Sequence, residues 1–432
     1  MIKKIFILVL ITFINQTAYA VTLSESLVLA YKNNPELNAE RENIKVSKED
    51  LKISRSEFLP TITLSGSKSQ ETTNKLTDRN GSNSAITDVN PKTQSIDIEQ
   101  KIFQGFSGVA SIKKSKIGLN LAEAKLLKVE QDILYKAVEA YSGLLFSNEK
   151  LIINQDNVNL LERQVEADQA RLERGQITLA DLAQSESSLA GAQAKLIEAR
   201  NDLVTAKLTY EKIIGPINDF KTLDKNIDLD FEIPLELNES IKISKINNPD
   251  LIISKLEFEQ SEKDMIIAKS DLSPSATLSY NSSKTDDLSS TFDERDKEIL
   301  KATISWPIFK GGKNTASLNK SKNLRNRKKL LFDNAIKNNE TNVASAWSSL
   351  QSSSSLLNSV KSQVKAAEIA NEGITIEYES GLGRSTLDLI QSNSILLSSK
   401  ISLAESERNY LLSQFKLLQS IGMLNNNYLK LQ

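Results

Sequence analysis

The feature that most constrains this chain of 432 residues is an internal duplication. The motif at residues 33–37 (NNPEL) recurs about 200 residues later at 247–251 (NNPDL). Further pairs follow in the same order: 102–105 (IFQG) with 308–311 (IFKG), 181–185 (DLAQS) with 388–392 (DLIQS), and 214–215 with 421–422 (both IG). Several ordered pairs at nearly constant spacing indicate two copies of one structural unit.

The duplication divides the chain into predicted segments. The first repeat covers 21–214 and the second covers 241–422. A connector at 215–240 separates them, marked by Gly215-Pro216, an acidic patch and Pro234, and a C-terminal tail occupies 423–432.

Residues 1–20 have the pattern of an export signal. Two lysines precede an apolar run from Ile5 to Phe13, and Ala18 and Ala20 form the small-x-small site that signal peptidase cleaves. The run is too short for a bilayer of about 30 Å, which disfavours a membrane anchor. Val21 follows the cleavage site, and a lipoprotein anchor would need cysteine there. We therefore expect a mature chain beyond the inner membrane, with no transmembrane helix after residue 20.

Heptad patterns predict very long helices. No proline interrupts residues 92–215, and a helix from about Ser107 to Leu172 would be roughly 100 Å long. The following helix repeats large residues every seven positions: Leu182, Leu189, Leu196, Leu203 and Tyr210. The other seam position of that helix carries Ala192, Ala199, Ala206 and Ile213. The copy of that helix carries serine there: Ser392, Ser399, Ser406, Ser413 and Ser420. An ordinary antiparallel coiled coil would explain these patterns equally well.

Short alternating stretches between the helices predict two strands per repeat. In the first repeat, Ile62 and Leu64 lie on one face of the first predicted strand. Ile96, Ile98 and Ile102 lie on one face of the second predicted strand. The second repeat places apolar residues at Ala276, Leu278 and Tyr280, and at Ala302, Ile304, Trp306 and Ile308. The polar connections at 70–93 and 281–298 are predicted to be solvent loops. Four strands cannot close a barrel, since about eight is the practical minimum, so a barrel would have to be shared between subunits.

The composition narrows the possible chemistry. The chain has no histidine and no cysteine, so thiol nucleophiles, disulfides, Cys/His zinc sites and imidazole catalysis are excluded. We expect no cofactor and no metal. The formal net charge of -1 gives no basic field for nucleic acid.

Taken in order, these motifs resemble the TolC-like outer-membrane efflux family over almost all of the mature chain. The resemblance is carried by NNPEL and NNPDL, the turns IFQGF and WPIFKGG, and the coil turns RGQITLADLAQSE and SGLGRSTLDLIQSN. It implies an α+β membrane protein built from a duplicated helix–strand–strand–helix unit. Three subunits would form a 12-stranded β-barrel, continued by a long 12-helix coiled-coil α-barrel.

The same resemblance implies a location and partners. The protein would lie in the outer membrane of a Gram-negative type cell, in contact with its lipid, and extend into the periplasm. It would work as a homotrimer with a periplasmic membrane-fusion adaptor and an inner-membrane transporter of the ABC or RND type. Its function would be a passive exit duct for drug efflux or type I protein secretion.

The resemblance also implies a periplasmic gate at the two coil turns. Asp181 would contact Tyr378 and Arg384, and Asp388 would line an acidic ring at the constriction. Gln391 stands where some members carry a second acidic ring, and Gly383 is an extra residue in this turn. Arg384 and Asp388 are four residues apart, so pairing along one helix is the local alternative.

Two other function classes stay open on sequence grounds. A periplasmic coiled-coil adaptor or scaffold protein would explain the helices and the export signal, but not the four strands. An enzyme is disfavoured, because paired carboxylates such as Glu236 with Glu239, or Asp286 with Asp287, lie in predicted polar loops, where such charges are usually solvated.

Overall fold

The computed structural model describes residues 21–77, 81, 83–84, 87–217, 219, 223–226, 229, 231–289, 291–380 and 383–431. The predicted export signal at 1–20 lies outside the described residues. None of the helices in the described part of the chain combines enough length with enough apolar sequence to span a bilayer.

The helices come in pairs of equal length, one from each repeat. They have 11, 22, 67 and 35 residues in both halves of the chain. The first set is α1 (Leu23–Asn33), α2 (Pro35–Ser56), α3 (Ser107–Glu173) and α4 (Leu179–Ile213); the second is α5 (Leu237–Asn247), α6 (Pro249–Ser270), α7 (Lys313–Glu379) and α8 (Thr386–Ser420), followed by the short α9 (Asn426–Leu429). The predicted duplication and the predicted long helices are confirmed.

The NNP motifs begin α2 and α6 through the same local chemistry. The Oδ1 atom of Asn34 accepts hydrogen bonds from the backbone N–H groups of Glu36 and Leu37, at 3.0 and 3.3 Å. In the second repeat, Asn248 Oδ1 accepts from the residues at the equivalent positions, at 2.9 and 3.2 Å. The proline that follows each asparagine has no N–H to leave unsatisfied at the start of a helix.

The longest strands are β1 (Thr61–Lys68), β6 (Lys92–Gln104), β7 (Ser275–Asp286) and β8 (Glu294–Ser305), and four short strands lie between β1 and β6 along the chain. The four long strands form an antiparallel sheet in the order β1-β6-β7-β8. The second pair of strands therefore joins the first pair through β6 and β7. Two strands per repeat were predicted, and this part of the prediction is confirmed.

The predicted strand limits need correction in three places. Strand β8 ends before Trp306 and Ile308, because Pro307 between them has no N–H for a ladder. The segment 281–298 is largely strand, since β7 and β8 extend into it from both sides. The segment 70–93 also contains short ladders, with β2 (Glu71–Thr73) paired to β5 (Thr87–Val89) and β3 (Leu76–Thr77) paired to β4 (Asn83–Ser84).

The chain folds into two compact units that cut across the repeats. One unit contains residues 39–128 and 245–340, including the four-stranded sheet. The other contains the remaining segments, including the turn between α3 and α4 and the turn between α7 and α8. Each repeat therefore contributes to both units.

The unit without the sheet has a large apolar core. It contains fully buried side chains from α1, α3 and α8, such as Leu27, Leu134 and Phe415. The segment predicted to be a C-terminal tail takes part in this core through Leu424, Leu429 and Leu431.

Candidate functional site

Two helix-to-helix turns carry the residues that the sequence predicts as a gate. One turn joins α3 to α4, and the other joins α7 to α8. Gly175 in the first turn has a φ angle of 66°, and Gly383 in the second has 84°. Glycine adopts this left-handed region without the steric cost that a side chain would bring. Gly383, which is the extra residue of the second turn, therefore has a conformation suited to glycine.

Asp181 and Asp388 are the third helical residues of α4 and α8, and each forms a capping box with the N-cap residue of its helix. Asp181 accepts a hydrogen bond from the Thr178 backbone N–H at 2.9 Å, and Asp388 accepts one from the Ser385 backbone N–H at 3.0 Å. Hydrogen bonds from the Thr178 hydroxyl and backbone lower the pKa of Asp181. The Ser385 backbone and hydroxyl likewise lower the pKa of Asp388, with a smaller contribution from the charge of Arg384. Both aspartates are partly exposed, and their carboxylates are negatively charged at neutral pH.

A buried carboxylate lies near these turns on α3. Asp168 has no exposed surface. It accepts hydrogen bonds from Ser185 Oγ at 2.6 Å, from Gln164 Nε2 at 2.9 Å and from Tyr378 Oη at 2.7 Å. Several donors of this kind compensate a carboxylate for its lost hydration. Ser185 is on α4 and Tyr378 is on α7, so Asp168 connects the helices of the first repeat with a helix of the second.

Tyr378 is the member of this cluster contributed by the second repeat. Its ring is almost fully buried, and the guanidinium of Arg171 lies 4.2 Å from the ring centroid. The hydroxyl also lies 3.1 Å from Thr386 Oγ1, at the start of α8. Burial is the main cause that raises the pKa of Tyr378, so its hydroxyl keeps its proton and can donate to Asp168.

Arg384 and Gln391 are on the solvent side of the turn. Arg384 Nε donates to Glu377 Oε2 at 2.6 Å, and this interaction raises the pKa of Arg384. Both side chains of the pair are 44% exposed. Arg384 precedes α8, so its ion pair joins the end of α7 to the turn and does not follow one helix to Asp388. Gln391 is exposed on α8.

The structure therefore brings the predicted residues together only in part. Tyr378 and Arg384 contact acids within the chain, but these acids are Asp168 and Glu377. Among the described residues, the hydrogen bonds of the Asp181 carboxylate go to Thr178. The physical reason is the capping box, which uses Asp181 locally at the start of its own helix. The gate role of Asp181, Tyr378, Arg384, Asp388 and Gln391 stays a prediction.

Sequence reasoning missed Asp168, although the sequence contains a signal for it. The seam of α3 continues from Val158 through Leu161 and Val165 to Leu172, and position 168 falls on that seam. Its partner Ser185 falls on the seam of α4 and is also fully buried. A charged residue at a seam position indicates a buried polar contact.

The four-stranded sheet is a second candidate site, because its two faces differ sharply. Residues paired across antiparallel strands share a face, and faces alternate along each strand. One face carries apolar pairs: Ile62 with Ile98, Leu64 with Ile96, Tyr280 with Leu300, and Ala276 with Ile304. The opposite face carries polar pairs: Thr63 with Asp97, Glu99 with Ser279, Lys101 with Thr277, and Ser279 with Lys301.

The apolar face of the sheet is exposed in a single chain. The side chains of Leu64 and Ile304 are each 78% exposed, and those of Ile62 and Leu300 are 68% and 72% exposed. Aromatic residues next to the sheet are exposed as well, including Trp306 and Phe309. A contiguous apolar surface of this kind marks a site that contacts lipid or another protein.

The sheet also has two open edges. Among the residues that the structure describes, strand β1 pairs only with β6, and strand β8 pairs only with β7. Open edges present unpaired backbone N–H and C=O groups that another strand can satisfy. Within the part of the chain that the structure describes, there is no group of three or more acidic residues placed to hold a metal ion.

Comparison with known proteins gives a consistent result. The model of the outer membrane efflux protein family matches residues 27–216 and 241–423. The outer membrane efflux protein BepC of Brucella suis biovar 1 is 26% identical over 418 residues, covering 96% of this chain and 89% of BepC. The alkaline protease secretion protein AprF of Pseudomonas aeruginosa is 20% identical over 430 residues, covering 97% of this chain and 88% of AprF.

The fold is shared with solved structures. The outer membrane channel CmeC of Campylobacter jejuni superimposes with a TM-score of 0.80 at 17% identity, covering 93% of this chain and 85% of that chain. At this identity the likeness concerns the fold. BepC, AprF and CmeC are named as efflux, secretion and channel proteins, and none of these names describes an enzyme.

Proposed function

The chain belongs to the outer membrane efflux protein family, and we propose that it is a passive exit duct for solutes or polypeptides delivered from the inner membrane. The protein lies in the outer membrane, as the family and the relative BepC do by name. In this proposal the chain performs no chemistry, and the energy for transport comes from its partners.

The observation that carries the proposal is the exposed amphipathic sheet. Fully burying an isoleucine or leucine side chain in an apolar medium contributes about 1.5–3 kcal/mol. The apolar face exposes Ile62, Leu64, Leu300 and Ile304 together, so its contact with lipid is worth on the order of 10 kcal/mol. The polar face would then line a water-filled passage. If the protein were instead a periplasmic adaptor, the alternative function, the apolar face of the sheet would have no partner.

We propose that three copies close the barrel. A barrel needs about eight strands or more, and each copy supplies four. The open edge of β8 in one copy would pair with the open edge of β1 in the next, which leaves no unpaired edge in a closed ring. Three copies supply twelve strands, the number that the family resemblance implies, and the long helices would continue the barrel as a 12-helix coil across the periplasm.

We propose that the two coil turns form the periplasmic gate of this duct. The hydrogen bond from Tyr378 to Asp168 and the ion pair of Arg384 with Glu377 hold the second repeat in one arrangement within each chain. A hydrogen-bonded cluster between two helical hairpins is a two-state element that a docked partner can bias. The proposed partners are a periplasmic adaptor and an inner-membrane transporter of the ABC or RND type.

The direct test is extraction followed by conductance. Membranes that contain the mature protein are washed with carbonate at high pH and then solubilised with detergent. We expect the protein to stay with the membrane until detergent is added, and to form channels in planar lipid bilayers afterwards. A mature protein that is fully soluble without detergent contradicts the duct and favours the adaptor.

A further inference from the structure

A polar cleft lies at the end of the sheet, where strands lead into helices. Its volume is about 530 Å³. It is lined on the sheet side by Lys101, Thr277 and Ser305. On the other side it is lined by Lys310, in the turn before α7, and by Lys313, the first residue of α7. All of these residues belong to the unit that contains the sheet.

The cleft opens on the polar face of the sheet. Lys101 is paired with Thr277, and Ser275 is paired with Ser305, so these residues belong to the face that carries Glu99 and Lys301. The exposed isoleucines and leucines lie on the other face. A solute moving along the polar face would therefore reach this cleft, which Phe103, paired with Ala276, borders from the apolar face.

The wall around the cleft is held by specific contacts. Asn314 Nδ2 donates to the backbone carbonyl of Asp271 at 2.6 Å, and Ser107 Oγ donates to the carbonyl of Gln104 at 2.8 Å. Gly105 fits closely against the same wall, since a Cβ atom there would lie 2.7 Å from Ser273 Cβ. The cleft is thus defined by packed turns from both repeats.

The charge of the cleft is not balanced. Among the described residues, Lys101, Lys310 and Lys313 have no ion-pair partner, and the cleft contains one acid, Asp271. Other lysines of the same unit are paired, as Lys114 is with Asp264 at 2.7 Å. Three ammonium groups around one concave polar site produce a local positive potential that attracts anions.

We propose that this cleft is an anion-binding site in the wall of the duct, which takes the carboxylate or phosphate groups of an anionic solute on its way out. This inference rests on the proposed function, because the polar face lines the passage only if the sheet closes into a barrel. In a trimer the site occurs three times at one level of the passage. The duct would thereby favour anionic cargo before the cargo leaves the cell.

Citrate, a small multivalent anion, is a suitable probe. Single-channel conductance is measured in planar bilayers while citrate is added to one chamber at constant ionic strength. We expect saturable block of the wild-type channel. The triple variant Lys101→Gln/Lys310→Gln/Lys313→Gln should raise the half-blocking concentration about tenfold, because it removes every unpaired cation of the cleft.

A matched control removes the same number of charges elsewhere. The variant Lys45→Gln/Lys48→Gln/Lys52→Gln changes α2, where Lys45 and Lys52 are already paired with Glu42 and Glu49. We expect its half-blocking concentration to stay within about twofold of the wild type. An equal shift in both triple variants overturns the site, because the effect would then come from net charge alone.

A second variant acts in the opposite direction and does not depend on the folding of the triple variant. Asp271→Asn removes the one acid of the cleft and should lower the half-blocking concentration about threefold. Channels that conduct normally but show no citrate block, or no change in block for either cleft variant, overturn the anion site and leave the proposed duct intact. A wild-type protein that forms no channel overturns the proposed function itself.

Discussion

The hydroxyl of Tyr378 offers the sharpest perturbation of the proposed gate. Replacement by phenylalanine removes one oxygen and keeps the buried ring beside Arg171. Asp168 then keeps its donors Gln164 and Ser185, both from the first repeat, and loses the donor from the second. The substitution therefore removes the hydrogen bond that joins the repeats at Asp168.

The structure sets the size of the effect. A hydrogen bond to a charged group contributes about 1.5–3 kcal/mol to a folded arrangement. If the closed arrangement contains the bond and the open one lacks it, the ratio of closed to open states falls roughly 10- to 100-fold in each subunit. We expect Tyr378→Phe to raise the ratio of open to closed time of single channels in planar bilayers by at least about tenfold.

A matched control separates gating from stability. The hydroxyl of Tyr210 lies 3.0 Å from Ser26 Oγ in the core of the same unit, and Tyr210→Phe removes a buried hydroxyl contact away from the coil turns. It should lower thermal stability without changing the open probability. Unchanged gating in Tyr378→Phe, with a folded and conducting protein, would refute the reasoning about Asp168.

The other predictions test smaller or more local effects. Arg384→Ala breaks a half-exposed ion pair that solvent screens, so we expect less than about a fivefold rise in open probability. A larger rise than for Tyr378→Phe would contradict the greater weight given to the buried hydrogen bond of Tyr378. The pKa values of Asp181 and Asp388 are lowered on folding, so their capping contribution is complete above the unfolded pKa of about 4 and is lost as pH falls through the folded pKa. Backbone hydrogen exchange in the first turns of α4 and α8, corrected for intrinsic rates, should therefore accelerate below a pH of about 4. Equal acceleration in the double variant Asp181→Asn/Asp388→Asn would count against capping. Gly105→Ala should lower the melting temperature of the trimer more than Gly311→Ala does. Both glycines have φ near 60°, but of the two only Gly105 has other atoms close to the position of an added Cβ. Equal melting temperatures of the two variants would be inconsistent with this packing.

The long elements could be predicted from the sequence because their signals are repeated many times. The absence of proline and the heptads placed the start of α3 at Ser107, which is where the helix begins. The serine seam of α8 is buried as the heptad requires, with Ser392, Ser399 and Ser406 all below 7% exposed. The duplication doubled each signal, which explains why helix lengths agree between the repeats.

The strand limits and the contacts of single side chains could not be predicted in the same way. Trp306 and Ile308 continue the alternating pattern of β8, but Pro307 stops the ladder, so a local backbone effect prevails over side-chain periodicity. Asp181 was predicted to contact the second repeat. The capping motif with Thr178 was visible in the sequence, yet only the structure shows that the carboxylate is used there.

The partner of Tyr378 required three-dimensional information for a different reason. Asp168 and Tyr378 are more than 200 residues apart in the chain, and no local pattern connects them. The charge at a seam position indicated that Asp168 needs a buried partner, but it did not indicate which helix would supply one. Packing of the two repeats against each other decides this contact.

The central claim, that separate copies share one barrel, can be measured by disulfide trapping in this cysteine-free chain. One cysteine replaces Thr63 on β1, and the second replaces Ile299, Lys301 or Thr303 on β8 in turn. Three strand spacings of about 4.8 Å separate β1 from β8 within a chain, so a disulfide, which needs Cβ atoms about 4 Å apart, can form only between copies. We predict that at least one pair gives covalent dimers and trimers, and no larger species, on non-reducing gels of oxidised membranes. Monomers alone for every pair, with the protein in the outer membrane, would contradict the shared barrel.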